Sequence, residues 1–335
     1  MRRHTILEAL CASKGEYISG EHLSQTLGIT RSAVWKGVDA LRREGYEIES
    51  RTRLGYRLLS MPDTLEPEAL AARLNTAVVG RRILFFDTLD STNTYAKQAA
   101  LTGGENGLVI LAGQQTGGRG RSGRSFQSPP SKGLYLTALL RPTAAPAAVL
   151  PVTALAAVAA CRAIERICGL RPGIKWTNDL VLDTRKLVGI LTEMGVEGET
   201  GVLQYVAVGI GINLAQPQSY FDAANLPNGT SLALQGANVD LAADPAWLAE
   251  GLTDFGFDRN LYTFARDGFA PFREEYKAAC INLGRRVTFD LPDGSQGAGE
   301  AVDVDAEGRL VVRTDAGEQH VFTGEVSVHG IYGAV

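Results

Sequence analysis

Residues 108–124 read Leu-Val-Ile-Leu-Ala-Gly-Gln-Gln-Thr-Gly-Gly-Arg-Gly-Arg-Ser-Gly-Arg, an apolar run followed by a loop whose residues 115–124 hold three arginines and four glycines. A short apolar run bounded by glycine predicts a strand. Glycines let the backbone approach an anion or take positive φ. Arginines are permanently charged planar forks that fit phosphate or carboxylate oxygens. A strand ending in such a loop predicts a sheet protein with a clamp for a negatively charged small molecule.

Gly118, Gly120 and Gly123 formally fit the dinucleotide fingerprint, which needs a helix starting inside the motif and an acid about 20 positions on. The loop instead runs into Ser125-Phe126-Gln127-Ser128-Pro129-Pro130, and no Asp or Glu lies between Glu105 and Glu165. That reading is rejected. A phosphate loop of the Gly-Lys-Ser/Thr type is absent too. On the motif alone, a flexible basic turn without chemistry stays open.

The 335 residues, 45% hydrophobic and 21% charged, fit a globular chain of two or three domains. A formal net charge of −4 excludes a whole-chain nucleic-acid signature, so any DNA contact must be local. No apolar run approaches the ~18 residues of a membrane helix, so no membrane partner is expected. The start, Met1-Arg2-Arg3-His4-Thr5, leads into an amphipathic segment, and a cytoplasmic location is expected. Cys11, Cys161, Cys168 and Cys280 form no C-x-x-C pair, and His4, His22, His320 and His329 lack ligand spacing. No structural metal is expected.

Residues 1–62 form a first unit. Ile6, Leu7 and Leu10 mark one helix, Gly20–Leu27 a second, and Gly28-Ile29 a tight turn. Thr30 is the expected N-cap of a third helix with Val34, Val38 and Leu41 inward, which leaves Arg31, Ser32, Trp35 and Lys36 outward. Two alternating strands, Tyr46–Ser50 and Tyr56–Leu59, flank Arg51-Thr52-Arg53-Leu54-Gly55. The order resembles a winged helix-turn-helix. Ten basic and seven acidic residues give residues 1–60 a net charge of +3 within an acidic chain. Arg31, Ser32 and Lys36 are the candidate base or phosphate contacts, with Arg51 and Arg53 in the wing. A winged helix used only for protein contact is the alternative.

Met61-Pro62-Asp63-Thr64 reads as a linker. In residues 65–278, strands at Ile83–Asp87, Leu108–Ala112, Leu134–Leu140, Leu180–Leu182, Leu187–Glu193 and Val202–Asn213 alternate with helices. The helices are Thr92–Leu101, Val149–Ile167 and Trp247–Tyr276, the last interrupted near Phe269-Ala270-Pro271. This predicts an α+β domain with a mixed sheet and one helix-covered face. Residues 280–335 change to short strands separated by Pro292-Asp293-Gly294, Ala306-Glu307-Gly308 and Asp315-Ala316-Gly317, a small β-barrel pattern.

Four segments join the arginine loop. Asp90-Ser91-Thr92-Asn93 stands at a strand-to-helix junction, where N-capping is the plainer role. Lys175-Trp176-Thr177-Asn178-Asp179 groups a cation, an amide and a carboxylate. Arg185-Lys186-Leu187-Val188-Gly189-Ile190-Leu191 opens a strand with two cations. Val208-Gly209-Ile210-Gly211-Ile212-Asn213 places glycines where a flat ligand could approach. Singly, each is explained by a cap or a surface ion pair.

In this order, Asp-Ser-Thr-Asn, Gln-x-x-Gly-Arg-Gly-Arg-x-Gly-Arg, Lys-Trp-x-Asn-Asp, Arg-Lys-x-x-Gly-Ile-Leu and Gly-x-Gly-Ile-Asn resemble the bacterial biotin–protein ligases. With its N-terminal unit the chain resembles the subgroup of biotin operon repressors that are also ligases, and the C-terminal segment resembles that family's SH3-like domain. The resemblance implies ATP-dependent activation of biotin to biotinyl-5′-AMP and transfer to a lysine of the biotin carboxyl carrier protein. It implies Mg²⁺ near Asn178 and Asp179, operator DNA as a partner and a ligand-induced homodimer. An exposed sheet edge near Lys186–Glu193 is the candidate surface for dimer or acceptor.

By position, the resemblance assigns Ser91, Thr92, Asn93 and Gln115 to the biotin ring. It assigns Arg119, Gly120 and Arg121 to the closure over biotin and the adenylate, with Arg124 ordering the loop. Lys186 would stabilise the transition state, Lys175 meet the triphosphate, and Asn178 and Asp179 position metal or phosphate, with Asp179 also receiving the acceptor's proton. Asn213 falls among the adenylate contacts, and Trp176, Gly189, Leu191, Gly209 and Gly211 are candidate walls of an apolar slot. Thr177 stands where the family usually has proline, and Gly117 where alanine is common; neither removes a charged group. A lipoate-ligase-like adenylating enzyme, a biotin sensor without ligase activity, and a ligase that does not read DNA are the competing functions. The intact arginines and Lys186 argue against the first two.

Overall fold

The computed structural model describes residues 2–13, 15–43, 45–60, 67, 70–71, 74, 76–237, 257–291, 295–322 and 326–328. Lys14, Glu44, the Met61–Thr64 linker, the start of the helix expected from Trp247, the Pro292–Gly294 turn and His329 lie outside them, as do the side chains of Arg2, Arg3, His4 and Glu8. The chain divides into two compact units, residues 1–74 and 75–335.

The first unit follows from its apolar spacing. Helices α1 (Arg2–Ala12), α2 (Gly20–Leu27) and α3 (Arg31–Arg43) precede the antiparallel pair β1 (Glu47–Arg51) and β2 (Gly55–Ser60). Ile6, Leu7, Leu10, Leu23, Val34, Val38 and Leu41 form one buried core. Burying each such side chain contributes about 1.5–3 kcal/mol before the cost in chain entropy. Gly28 takes a φ of 61°, the left-handed turn that ends α2 and that a side chain would strain. Thr30 Oγ1 accepts the Ala33 N–H at 3.2 Å, capping α3.

The second unit is built on a seven-stranded mixed sheet. Its strands are β3 (Ile83–Phe86), β4 (Leu108–Ala112), β5 (Gly133–Leu140), β6 (Gly173–Lys175), β7 (Asp179–Leu182), β8 (Arg185–Val196) and β9 (Leu203–Asn213). The order is β3-β4-β5-β9-β8-β7-β6, with β3 and β4 parallel and the remaining neighbours antiparallel. Helix α4 (Thr92–Leu101) packs on β4, β5 and β9, and α5 (Val152–Cys168) on β7, β8 and β9. Val149, the expected helix start, ends a short helix Pro146–Val149, and the long helix begins at Val152 with Pro151, which lacks an N–H, at its cap. Strand β6 was not anticipated; three residues are too short to show alternation.

One expectation needs correction. The helical stretch Pro146–Cys168, 23 residues, does have the length and apolar composition of a membrane span. Alanines and valines give it that character because it is the core helix of this sheet, with 67% of its most apolar window buried. The short α6 (Gln218–Ala223) follows β9. The last long helix is divided, as expected near Pro271, into α7 (Arg259–Asp267) and α8 (Arg273–Ala279) around a turn at Ala270–Phe272. Asp258, before α7, accepts the backbone N–H groups of Ala77, Val78 and Val79 at 2.7, 2.8 and 2.6 Å.

The C-terminal strands β10 (Arg286–Asp290), β11 (Gln296–Val304), β12 (Leu310–Thr314), β13 (Gly317–Val321) and β14 (Val326–Val328) form an antiparallel sheet in the order β13-β12-β11-β10-β14. Trp176 ties it to the larger sheet, its Nε1 donating to Gly308 O at 2.9 Å and its backbone N to Asn282 Oδ1 at 2.7 Å. Arg273 and Lys277 of α8 add ion pairs to Asp303 at 2.6 and 2.8 Å.

Candidate functional site

The sheet brings the five sequence segments together. At the start of α4, Ser91 caps the helix, its hydroxyl accepting from Thr94 N. Gln115 Oε1 accepts from Thr92 N at 2.8 Å and Thr92 Oγ1 at 3.1 Å, while Gln115 Nε2 donates to Ser128 Oγ at 2.8 Å. Thr137, fully buried on β5, places its hydroxyl 2.8 Å from Thr92 Oγ1 and 2.7 Å from Asn93 Oδ1. Ser91, Thr92, Asn93 and Gln115 line a small polar pocket with Arg119, Gly189, Leu191, Gly209 and Gly211. A Cβ at Gly209 would overlap the Asn93 carboxamide oxygen, and one at Gly211 would lie 2.5 Å from the Phe126 ring. The glycines therefore admit an amide and an aromatic ring to the sheet surface.

The arginine loop is folded on itself. Gly120 N donates to Arg124 O at 2.7 Å, Phe126 N to Gly118 O at 2.8 Å, and Arg119 pairs with Ser125 in a short antiparallel bridge. Arg124 meets the loop through its main chain at both its carbonyl and its N–H. Ser122, at φ 54°, turns the chain inside this hairpin. Half-buried Arg121 reaches Asn178 Oδ1 at 3.0 Å and Thr177 Oγ1 at 3.4 Å. The Trp176–Thr177 peptide is cis.

Next to that contact, Lys186 Nζ lies 2.7 Å from Asp179 Oδ1, and Asn178 Nδ2 donates to the same oxygen at 3.1 Å. Lys175, Trp176, Asn178, Asp179, Lys186 and Asn213 face a cavity of about 620 Å³, with Gly120, Arg121 and Arg124 on its loop side. Four cations and one buried carboxylate beside this space suit a polyanionic ligand such as a nucleoside triphosphate. Trp176, a candidate wall of the apolar slot, lines this large cavity, with its indole Nε1 bonded to Gly308 O.

Several contributors escaped the sequence reading. Asn228, in the loop after α6, accepts the Lys186 N–H at 2.6 Å, and Tyr220, Asn225 and Ser327 line the cavity. Phe126, next to the arginine loop, touches both spaces. Thr137 left one signal, a hydroxyl inside an eight-residue run of buried positions. The candidate edge also shifts. Strand β7 pairs with Arg185–Gly189, so Lys186 is interior to the sheet. Among the described residues, Leu191–Val196 pair only with β9.

In the first unit, α3 presents Arg31, Ser32, Trp35 and Lys36 as exposed residues, with Trp35 56% accessible. Arg31 is paired with Glu21 at 3.0 Å and Arg51 with Glu49 at 2.8 Å. Arg53 stands exposed at the wing tip with φ 71°. Tyr17 closes the wing's base: its hydroxyl donates to Glu49 Oε2 at 2.5 Å, and Arg57 stacks 4.8 Å from its ring.

Comparisons with known proteins agree with this layout. The model of the biotin/lipoate A/B protein ligase family matches residues 85–213, a helix-turn-helix domain model matches residues 2–57, and the biotin protein ligase C-terminal domain model matches residues 283–328. The chain is 32% identical to the bifunctional ligase/repressor BirA of Bacillus subtilis over 97% of its own length and 98% of the relative's. It is 29% identical to the Escherichia coli protein of that name, with 98% of each chain covered. The biotin protein ligase of Aquifex aeolicus, solved with biotin and ATP, superposes with a TM-score of 0.60 at 25% identity, covering 74% of this chain and 99% of that one. The chain belongs to the family of bifunctional biotin–protein ligase/repressors.

Proposed function

We propose that this protein activates biotin with ATP to biotinyl-5′-AMP, transfers the biotinyl group to a lysine of the biotin carboxyl carrier protein, and represses biotin genes through its winged helix. The observation that carries this reading is the adjacency of two spaces. A small polar pocket under Gln115, with Arg119 in its lining, shares Phe126 with a cation-lined cavity walled by Lys186 and Asp179. A ring with a carboxylate tail seated in the first would present that tail to a triphosphate in the second.

Two anions must meet for the first step, and the chain supplies the compensation. The Lys186 ammonium has three donors, of which the Asp179 bond uses one. The others serve the biotin carboxylate and the α-phosphate as they approach in line, and Lys175 holds the departing phosphates. Arg119, Gly120 and Arg121 close over the mixed anhydride and keep water out, with Arg121 anchored on Asn178. Ser91, Thr92, Asn93 and Gln115 hold the ring, Gly189 and Gly209 line its pocket, and Asn213 lines the nucleotide side. In the second step the acceptor amine attacks the carbonyl, AMP leaves, and Asp179 takes the proton.

A Mg²⁺ ion fits the donor set, because one carboxylate and one amide oxygen beside phosphate oxygens are the ligands this ion takes. Asp179 and Asn178 would hold it, and it would neutralise phosphate charge. Ligand-induced pairing of two copies through the open side of Leu191–Val196 would give a dimer with two winged helices for a two-fold operator. The acceptor protein would compete for that strand edge. The division of labour is 1–62 for DNA, 65–278 for catalysis and 280–335 for the C-terminal domain.

Incubating the full chain with ATP, Mg²⁺, biotin and a carrier domain tests this reading. Biotin on one carrier lysine supports it; an unmodified carrier overturns it. Gel-shift titration with and without biotin plus ATP tests the regulatory half, where ligand-independent operator affinity would refute the coupling.

A further inference from the structure

Behind the small pocket stands a carboxylate with no part in the chemistry above. Asn93 and Lys97 lie one turn apart on α4 and share a face. Both reach Glu193 on β8. Asn93 Nδ2 donates to Glu193 Oε2 at 3.0 Å and to Leu191 O at 3.0 Å, and Lys97 Nζ meets Glu193 Oε1 at 2.6 Å. The Asn93 oxygen lies 2.7 Å from the Thr137 hydroxyl. Both amide protons are committed, so the carboxamide has one orientation. That orientation puts its oxygen against Gly209, on the pocket floor.

We propose that Glu193 is a positioning residue for ring binding: one carboxylate oxygen held by Lys97 and the other given to Asn93 fix the Asn93 carboxamide that shapes the pocket. This rests on the reading that the pocket takes the biotin ring. The requirement for a carboxylate is one of counting. Two donors converge on Glu193, and only a carboxylate offers each an oxygen; glutamine would turn its NH₂ on either Lys97 or Asn93. The ionised form is the one present. Burial raises the Glu193 carboxyl, but hydrogen bonds from Lys97 and Asn93 and the charges of Lys97 and Arg119 outweigh it and hold it below its ordinary value.

A double-mutant cycle on the full chain tests this, with biotin affinity measured by calorimetry without ATP and KM measured for biotin and for ATP. Glu193→Gln should weaken biotin binding at least about fivefold, with KM for ATP within about twofold and the melting temperature little changed. In a Lys97→Met background the same substitution should cost less than about twofold, because the glutamine NH₂ no longer faces an ammonium and its oxygen can turn to Asn93. A through-space charge effect on Arg119 would give equal losses in both backgrounds, and a merely structural role would lower melting temperature and both KM values together. Either result, or unchanged biotin affinity in Glu193→Gln, overturns the proposal. Failure of the unmutated protein to bind biotin would instead overturn the functional reading beneath it.

Discussion

Asn178 Nδ2 and Lys186 Nζ converge on one oxygen of Asp179, at 3.1 and 2.7 Å. The carboxylate therefore keeps a donor when the ammonium is removed. Lys186→Ala should retain the fold, with a melting temperature within a few degrees of the parent, and lose adenylate formation by at least about a thousandfold, the scale of losing one preorganised charge at a reacting anion. Near-parental synthesis of biotinyl-AMP would remove Lys186 from its assigned role.

Arg121 crosses from the glycine loop to Asn178, both of which line the cavity, and this contact is the proposed latch of the loop. Arg121→Gly is expected to speed release of biotinyl-AMP at least about tenfold, the cost of losing a charge-assisted contact. The readout is biotin on bystander proteins mixed into the reaction. No increase over the parent would count against the latch.

The proposed DNA contacts differ in charge pairing. Arg31 and Arg51 are engaged by Glu21 and Glu49, which weakens their claim on phosphate in the unbound chain. Lys36→Ala and Arg53→Ala should each lower operator affinity and reduce the slope of log affinity against log salt by about one, while biotinylation stays unchanged. A slope identical to the parent would show that the residue meets no phosphate.

In the C-terminal sheet, Asp305 accepts from Arg309 Nε and His320 Nδ1, each at 2.7 Å, and from the Arg309 N–H at 2.9 Å. Burial raises its carboxyl, and these partners outweigh it and hold the carboxyl below its ordinary value. A depressed folded value means that its stabilisation is complete above about pH 4 and is lost as the pH falls through the folded value. Asp305→Asn should therefore lower the melting temperature at pH 7 and narrow its gap to the parent at pH 2.5. An equal gap at both values would show that the charge contributes nothing.

Much of this molecule is legible in local pattern. Val34, Val38 and Leu41 repeat at helical spacing and, with Leu23 of the preceding helix, form the core that spacing implies. Thr92–Leu101 has the bounds read from its cap and turn. The site was legible only as separate segments, because the contacts joining Arg121 to Asn178 and Asp179 to Lys186 depend on strand order. Glu193 was invisible for the same reason, being 100 positions from Asn93. The sheet edge was misplaced because β7 is four residues long and its pairing with Arg185–Gly189 leaves no mark in composition. Pro146–Cys168 shows the converse: a core helix and a membrane span share one composition, and only its packing decides.

The most direct measurement offers the pure protein ATP and Mg²⁺ with an equimolar mixture of biotin, lipoate and octanoate, then identifies the retained adenylate by native mass spectrometry. The expected species is biotinyl-5′-AMP alone, one per chain. A lipoyl or octanoyl adenylate, or no retained adenylate, would contradict it.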